Sequence, residues 1–459
     1  MKNTFKFDDD IVFLADVPHL LKNMRNALVN NNIIIHSEFQ QEYNLPTNIA
    51  KYSHIVAVMD FDKDKKLKIA PHLAKVPKDL GNFEKMKVSY AQHALSRQTG
   101  HAIRFLVSHH NYPQEMLATA VFCELIGKWY DLMSARGQGL AFHADNPEEN
   151  HSTVVFLNRF INFYCSLKLH KDQQDSFKPT QVGVILSTNG IIKLKDKLLE
   201  FMPFFLSGKC TNDPIEQYHG EVRSINKSPT CNQFKYCAKS MGITQYLAKI
   251  KGGSYDAEDS AFLIDFQSFK KVLESEQNEQ EEIIENLLDA NVSLENMSEK
   301  NSLAYFAGVI LKRSILGTKN VCKDCATAFI SEEESDEDYE DLISTKEFKK
   351  GALTRPTKVA FEMFFDSEVI FRSSESAACE SNTLLGKKIT AKVLHFLLEK
   401  FPKMPDCHID KIFSRFIRAR LCFEGRQKSR NLLSKGTIQK EVAAEANASK
   451  TTKALKTIK

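Results

Sequence analysis

Three carboxylates in two short segments could carry out metal chemistry. Asp213 and Glu216 lie three residues apart within Thr211–Ile225, so a helix that begins there would present both on one side. Asp16 directly follows the apolar run Ile11–Ala15. Hard cations such as Mg²⁺ prefer carboxylate oxygens, and paired metals stabilise the attacking and leaving oxygens of phosphoryl transfer. The same spacing equally suits a capping box, with Asp213 at the N-cap and Glu216 at N3.

A polar, cationic helix face follows Asp16. The sequence predicts a helix from Asp16-Val17-Pro18 to about Asn30, with an apolar face of Leu20, Leu21, Met24 and Leu28. The opposite face, which would suit a phosphate backbone, carries His19, Lys22, Asn23 and Asn26. Asp16 equally suits a simple helix cap, with Lys22 and Arg25 as ordinary solvated charges.

The second carboxylate segment has a similar arrangement. His219 and Arg223 follow Glu216 along the predicted helix. Helical spacing predicts a buried stripe of Ile215, Tyr218, Val222 and Ile225.

Four further residues could bind a softer metal. Cys322 and Cys325 form a C-x-x-C pair, and Cys407 is followed by His408. Tetrahedral Zn²⁺ accepts three thiolates and one imidazole. The alternative is that these cysteines are core or helix-end residues, because no second C-x-x-C pair accompanies the first.

The chemistry-bearing segments must be positioned by several elements. Ile11–Ala15 is predicted to form a buried strand, because the run is short and continuously apolar. Residues 33–186 show helical periodicity in several pieces, at 85–109, 113–135 and 151–169. Helical patterns continue at 190–205, 303–316 and 357–423, and no internal repeat is visible.

Composition describes a multi-domain soluble protein. The chain has 459 residues, of which 42% are hydrophobic and 26% charged, and a net charge of +4. Its opening has no apolar signal region, and apolar runs such as Phe201–Leu206 fall short of the ~20 residues that span a bilayer. Ten scattered cysteines do not suggest a secreted disulfide scaffold. We therefore expect a cytoplasmic or nuclear protein without a membrane partner.

Acidic and basic residues are unevenly distributed along the chain. Glu332–Asp341 is almost entirely acidic and Arg426–Lys459 is strongly basic, and both are predicted to be disordered. The stretch Arg415–Arg430 could contact DNA phosphates or form a solvated helix face.

Two segments together resemble the P-element and THAP-type DNA transposase family. They are D-V-P-H-L-L-K-N-M-R-N at residues 16–26 and T-N-D-P-I-E-Q-Y-H-G-E-V-R-S at residues 211–224. Between them, E-K-M-K-V-S-Y-A-Q-H-A-L-S at 84–96 and F-C-E-L-I-G-K-W-Y-D-L-M-S-A-R at 122–136 resemble the family's helical insertion. L-A-Y-F-A-G-V-I-L-K-R-S-I, from residue 303, resembles the helix after its catalytic region.

The resemblance implies an RNase H-like core, split by a helical insertion that binds GTP, with three acidic residues that hold Mg²⁺ for DNA strand cleavage and transfer. Asp16 matches the second of these carboxylates and Glu216 the last, while Asp213 matches a position associated with the GTP-bound metal. No G-x-x-x-x-G-K-[ST] phosphate loop occurs, so GTP binding is implied by resemblance alone. The implied DNA-contact candidates are His19, Lys22, Asn23, Arg25, Asn26, His219 and Arg223.

The sequence also departs from the family. Only fifteen residues precede Asp16, and the family's first catalytic Asp lies on a strand well upstream of the second. Asp8, Asp9 and Asp10 are poorly placed to replace it. The zinc-dependent DNA-binding domain of the family is also not visible, since no Cys/His cluster precedes Cys123.

Our primary hypothesis is a nuclear P-element-like transposase fragment that binds DNA and has little or no cleavage activity. A homo-oligomer is a possible assembly of this fragment. The alternative is a domesticated nuclear DNA- or chromatin-binding protein without catalysis. A helical interaction scaffold would be preferred if neither DNA nor GTP bound at low salt.

The expected fold class is α/β plus α. The expected segments are a first part of an incomplete RNase H-like core at 1–32, a helical GTP-binding-type insertion at 33–186, the C-terminal part of the core with following helices at 187–330, an acidic linker at 331–345, a helical C-terminal region at 346–425 and a basic disordered tail at 426–459.

Overall fold

The computed structural model describes residues 11–169, 178–226, 228–247, 296–317, 321–331, 337–347, 351–377 and 385–434. These residues are mostly helical, with a few short strands. They divide into two compact units. Unit 1 takes its described residues from 1–65 and 69–261, and unit 2 from 66–68 and 262–459. No helix in the described ranges is long and apolar enough to cross a membrane.

Unit 1 is built from helices. Their bounds are α1 Val17–Asn30, α2 Ser37–Glu42, α3 Tyr52–Phe61, α4 Asn82–Met86, α5 Val88–Ala94, α6 Arg97–His109, α7 Met116–Met133, α8 Pro147–Ser166, α9 Pro179–Leu198, α10 Asp213–Ile225 and α11 Cys231–Leu247. The helical pattern predicted for the long central region is confirmed.

The strands of unit 1 are only two residues long and pair antiparallel. β1 (Ile33–Ile34) lies between β2 (Ile49–Ala50) and β4 (Lys168–Leu169). β3 (Phe142–His143) pairs with β5 (Phe204–Phe205). These short strand pairs connect segments between the helices and form no extended sheet within the described residues.

The strand predicted at Ile11–Ala15 is not formed. The segment has no strand partner within the described residues, and Ile11 and Phe13 are 53% and 50% exposed. It packs on α9 instead, where the Ser187 hydroxyl donates to the backbone carbonyl of Ala15 at 2.7 Å. A short apolar run does not form a strand by itself, because a strand also needs a neighbour to which it can hydrogen-bond.

Small residues on α9 allow this close approach. A Cβ on Gly190 would lie 2.5 Å from Leu14 Cδ2, and a Cβ on Gly183 would lie 2.5 Å from Leu20 Cδ2. Both glycines share one face of α9 with Ser187, at helical spacing. This face therefore fixes the chain on both sides of Asp16.

An aromatic core stabilises the middle of unit 1. The Trp129 indole is fully buried and stacks on Phe160, with ring centroids 5.1 Å apart and planes 13° apart. Its Nε1–H donates to the Thr188 hydroxyl at 3.0 Å. The buried indole N–H is therefore satisfied, and the contact joins α7, α8 and α9.

Unit 2 is also mainly helical. Its helices are α12 Met297–Leu311, α13 Lys323–Phe329, α14 Asp341–Lys346, α15 Lys358–Ala377, α16 Leu385–Lys400 and α17 Ile409–Ser434, and its strands are β6 Ile330–Ser331 and β7 Arg355–Pro356. A π-helical turn at Lys312–Leu316 ends α12. The core is rich in phenylalanine, with Phe364 packed between Phe413 and Phe416 at centroid distances of 4.9 and 5.2 Å.

A buried ion network crosses the core of unit 2. Arg420 donates to both carboxylate oxygens of Glu368, at 2.7 and 2.9 Å. Arg372 bridges Glu368 to Glu299, which also accepts the backbone N–H of Leu67. Arg420 lies within the stretch predicted to contact DNA phosphates, but it is only 1% exposed. It is therefore a core residue, because it compensates the buried charge of Glu368.

Two predictions of disorder are wrong in part. Within the acidic run, residues 337–341 are ordered: Tyr339 stacks on Phe361 with ring centroids 3.8 Å apart, and Glu340 is buried beside Arg355. An aromatic contact and an ion pair compensate for the like charges there. Within the basic tail, residues 426–434 continue the backbone of α17. Residues 332–336 and 435–459 lie outside the described ranges.

Candidate functional site

Asp16, His19 and Glu216 form a compact cluster in unit 1. One ligand atom from each lies within 4.8 Å of the others. Asp16 caps the start of α1, His19 lies in its first turn, and Glu216 lies in the first turn of α10. The cluster thus brings together the two carboxylates that the sequence predicted to act jointly. His19 was predicted only as a phosphate contact.

Asp16 makes several hydrogen bonds. Its Oδ2 accepts the backbone N–H of His19 at 3.1 Å and contacts the His19 Nδ1, while its Oδ1 accepts the backbone N–H of Asn212 at 2.9 Å. The side chain is 9% exposed. The predicted helix cap is therefore formed, and the same carboxylate also ties α1 to the start of α10.

Glu216 faces this cluster. Its Oε1 lies 3.7 Å from the Nε2 of His19, and its side chain is 53% exposed. The predicted capping box is not formed, because α10 begins one residue earlier, with Asn212 at the N-cap and no side-chain cap bond. Glu216 is therefore beyond N3 and does not reach back to the cap. The Asp213 side chain lies outside the described part of the structure.

The predicted buried stripe of α10 is correct only at its centre. Val222 is buried against Cys237 and Met241 of α11, and Tyr218 packs beside them. Ile215 and Ile225 are 59% and 55% exposed. The small contact with α11 covers only the middle of α10, so the two ends remain in solvent.

The DNA-contact candidates differ in how exposed their side chains are. His19, Asn23, His219 and Arg223 are exposed, and Lys22 and Asn26 are half-buried. Arg25 is fully buried and is not placed to reach DNA, which corrects the prediction. Its guanidinium donates to the carbonyl of Lys85 at 2.6 Å and to Asn26 at 2.8 Å. Arg25 thus joins α1 to α4, while burial lowers its pKa.

A cavity of about 280 Å³ in unit 1 was not found from the sequence. It is lined by the end of α5, the start of α6 and the end of α7, with polar groups from His72, His93, Ser96, Arg97 and Asp131. Burial lowers the pKa of His93 and, to a lesser degree, so does Lys75, whereas burial raises the pKa of Asp131. At this cavity Ser96 caps α6 by accepting the backbone N–H of Thr99.

The four soft-metal candidates meet in unit 2. Ligand atoms of Cys322, Cys325, Cys407 and His408 all lie within 4.8 Å of one another. The backbone N–H of Cys325 and the neighbouring thiols of Cys407 and Cys325 hold the pKa of the Cys322 thiol below its ordinary value. Residues more than eighty positions apart in sequence therefore converge.

Comparison with known proteins relates both units to transposases. Residues 18–141 match the family model described as TNP-like, GTP-binding insertion domain. Residues 293–417 match the model described as DNA transposase THAP9, C-terminal domain. The resemblance seen in the sequence is confirmed: the chain is related to the P-element and THAP-type transposases.

One curated relative and one solved structure are also similar to parts of the chain. The Transposable element P transposase of Drosophila melanogaster is 23% identical over 323 residues, which are 67% of this chain and 41% of the relative. The chain thus spans about two fifths of that protein. The Drosophila P element transposase strand transfer complex matches with a TM-score of 0.43 and 21% identity, over 50% of this chain and 51% of the other.

Proposed function

We propose that this chain carries metal-binding carboxylates, a DNA-facing surface and a guanine-nucleotide site of a P-element-like transposase. The observation that carries the proposal is the convergence of Asp16 and Glu216. Asp16 is held by Asn212, 196 positions away, and Glu216 follows Asn212 on the same helical start. Folding thus assembles a carboxylate pair next to exposed cationic and polar side chains.

The cluster fits a hard divalent cation in part. The oxygens of Asp16 and Glu216 are ligands that Mg²⁺ accepts, whereas the imidazole of His19 is better suited to softer metals. His19 would therefore orient Asp16 through their hydrogen bond and not bind the ion itself. When bound, Mg²⁺ would stabilise charge on the attacking and leaving oxygens of phosphoryl transfer.

The residues of the chain itself would position this site and the DNA. The Asn212 N–H and the helix cap hold the Asp16 carboxylate in place before any ligand arrives. His219 and Arg223 extend from the same helix as Glu216, and Lys22 lies one turn after His19. These side chains would contact phosphates beside the carboxylate pair and set the position of a strand without reading its sequence.

Among the described residues, the cluster contains two carboxylates, one fewer than the family resemblance implies. We propose that these residues alone support metal binding with little or no strand cleavage. An RNase H-like core is proposed from the family resemblance alone, since the strands within the described ranges of unit 1 are each only two residues long.

The cavity beside α6 is the proposed guanine-nucleotide site. It lies within the residues that match a GTP-binding insertion domain, and its lining combines an arginine, a carboxylate and two imidazoles. At about 280 Å³ it is slightly smaller than typical drug-sized pockets, so it would enclose part of a nucleotide. Arg97→Gln should weaken binding of a fluorescent GTP analogue about tenfold or more, as a lost charge-assisted contact predicts. Arg159→Gln, on the exposed side of α8, should leave affinity unchanged.

Metal binding tests the main proposal. Mn²⁺, a spectroscopic substitute for Mg²⁺, should bind the whole chain, and Asp16→Asn or Glu216→Gln should each reduce affinity at least about tenfold. Glu221→Gln changes another exposed carboxylate of α10 and serves as the matched control. Equal affinity in all four proteins would reject the carboxylate pair as a metal site.

A non-catalytic nuclear DNA- or chromatin-binding protein is the second candidate. It is favoured by the bonds of Asp16, which satisfy both carboxylate oxygens without a metal. DNA affinity separates the candidates: a binding protein should retain it in metal-free buffer and in Glu216→Gln, whereas a metal-assembled site should bind DNA more tightly with Mg²⁺. Failure to bind DNA or GTP at low salt would contradict both candidates.

A further inference from the structure

The cysteine–histidine cluster of unit 2 has the dimensions of a tetrahedral metal site. Cys407 Sγ lies 3.7 Å from Cys322 Sγ and 3.1 Å from Cys325 Sγ. The His408 Nδ1 lies 3.4 Å from Cys325 Sγ and 3.3 Å from Cys407 Sγ. We propose that these four residues bind one structural Zn²⁺, independently of the metal site in unit 1.

The distances are those expected when four ligands surround one ion. Zinc–sulfur bonds of about 2.3 Å in a tetrahedron place two sulfurs about 3.8 Å apart, and a sulfur and an imidazole nitrogen about 3.5 Å apart. The separations of 3.7, 3.4 and 3.3 Å are close to these values, and the Cys325–Cys407 separation of 3.1 Å is shorter than the expected sulfur–sulfur distance. They are also too long for a disulfide bond, whose sulfurs lie about 2 Å apart.

Each of the four residues lies at or near the start of a helix. Cys322 is the N-cap residue of α13, so its sulfur lies at the start of that helix. Cys325 follows within the first turn and is buried. Cys407 and His408 directly precede α17.

The donor set indicates which metal and which role. Three sulfurs and one imidazole nitrogen in a tetrahedral arrangement are typical of Zn²⁺, and four protein ligands leave no open position for substrate. The site would therefore act as a covalent-like link between the start of α13 and the start of α17. Cys325 is buried and lies against the Cys407 thiol and the His408 imidazole, so an ion bound here would have ligands on several sides.

Elemental analysis of the full chain gives the first test. The protein, purified under reducing conditions without chelators, should contain about one zinc per chain. Cys322→Ser and Cys407→Ser should each lose most of this zinc, whereas Cys422→Ser should retain it. Cys422 is an exposed thiol on α17 outside the cluster, and so it is the matched control.

Two measurements on the unmodified chain keep the test valid if a variant fails to fold. Replacement of zinc by Co²⁺ should produce a thiolate-to-cobalt charge-transfer band and intense visible absorption, which are signatures of tetrahedral sulfur ligation. Zinc should also protect three cysteines from alkylation, and chelation should expose them. Absence of zinc and of the cobalt spectrum would overturn the proposal. A Cys325–Cys407 disulfide in peptides from the chain, isolated without reductant, would also overturn it.

Discussion

Glu368 connects the two arginines of the buried ion network in unit 2. It is fully buried and compensates two arginines, Arg420 and Arg372, that are themselves almost completely buried. Glu368→Gln should lower the free energy of unfolding by about 3–5 kcal/mol, because it leaves buried guanidinium groups without a full counter-charge. Denaturant unfolding measures the effect. Glu399→Gln removes an exposed carboxylate on α16 and should change stability by less than about 0.5 kcal/mol; equal effects in both variants would refute the prediction.

Glu299 should make unit 2 sensitive to acid. Burial alone would raise the pKa of Glu299, but hydrogen bonds from Arg372 and from the backbone of Leu67 and Lys66 outweigh it and hold the pKa below its ordinary value of 4.5. The resulting stabilisation is present above pH 4.5 and is lost as the pH falls through the lower, folded-state pKa. Unfolding measured from pH 7 to pH 3 should show this loss. In Glu299→Gln the corresponding part of the pH dependence should be missing, and an unchanged profile would argue against the assignment.

At the scale of elements, the glycine face of α9 determines where Asp16 lies. Gly190→Leu should force residues 11–15 away from α9 and lower the stability of unit 1 by about 1–3 kcal/mol, because the added side chain has no space. It should also weaken Mn²⁺ binding, since Asp16 follows this segment. Gly220→Ala on α10, where an added Cβ meets nothing, should be neutral or stabilising by up to about 1 kcal/mol. If Gly190→Leu left the Mn²⁺ affinity unchanged, the position of Asp16 would not depend on the packing of residues 11–15 against α9.

At the scale of the whole molecule, the division into two compact units predicts unfolding in more than one step. Differential scanning calorimetry should resolve two transitions. Gly190→Leu should lower the temperature of one of them, and Glu368→Gln should lower the other. A single cooperative transition that moves with either substitution would contradict this independence.

The relation between sequence and site differs from residue to residue. The helix that follows Asp16 and its cap could be predicted, because both depend on neighbouring residues and helical spacing. The capping box, one of the two alternatives for Asp213 and Glu216, is not formed, because α10 begins with Asn212 at the N-cap, and the N–H of Asn212 donates to Asp16, far away in sequence. The same reason explains Arg25 and Arg420: side-chain charge suggests exposure, but distant partners decide burial.

The sequence by itself determined the helical pattern, the cap at Asp16, the resemblance to transposases, and which residues could bind metals, since these follow from local spacing and residue chemistry. Only the tertiary structure decided that Ile11–Ala15 would pack on α9 without a strand partner, that His19 would lie between two carboxylates, and that the Cys322 pair would meet Cys407 and His408. The physical reason is that local patterns set the preferences of each segment, whereas packing across hundreds of residues selects the partners that those segments finally meet.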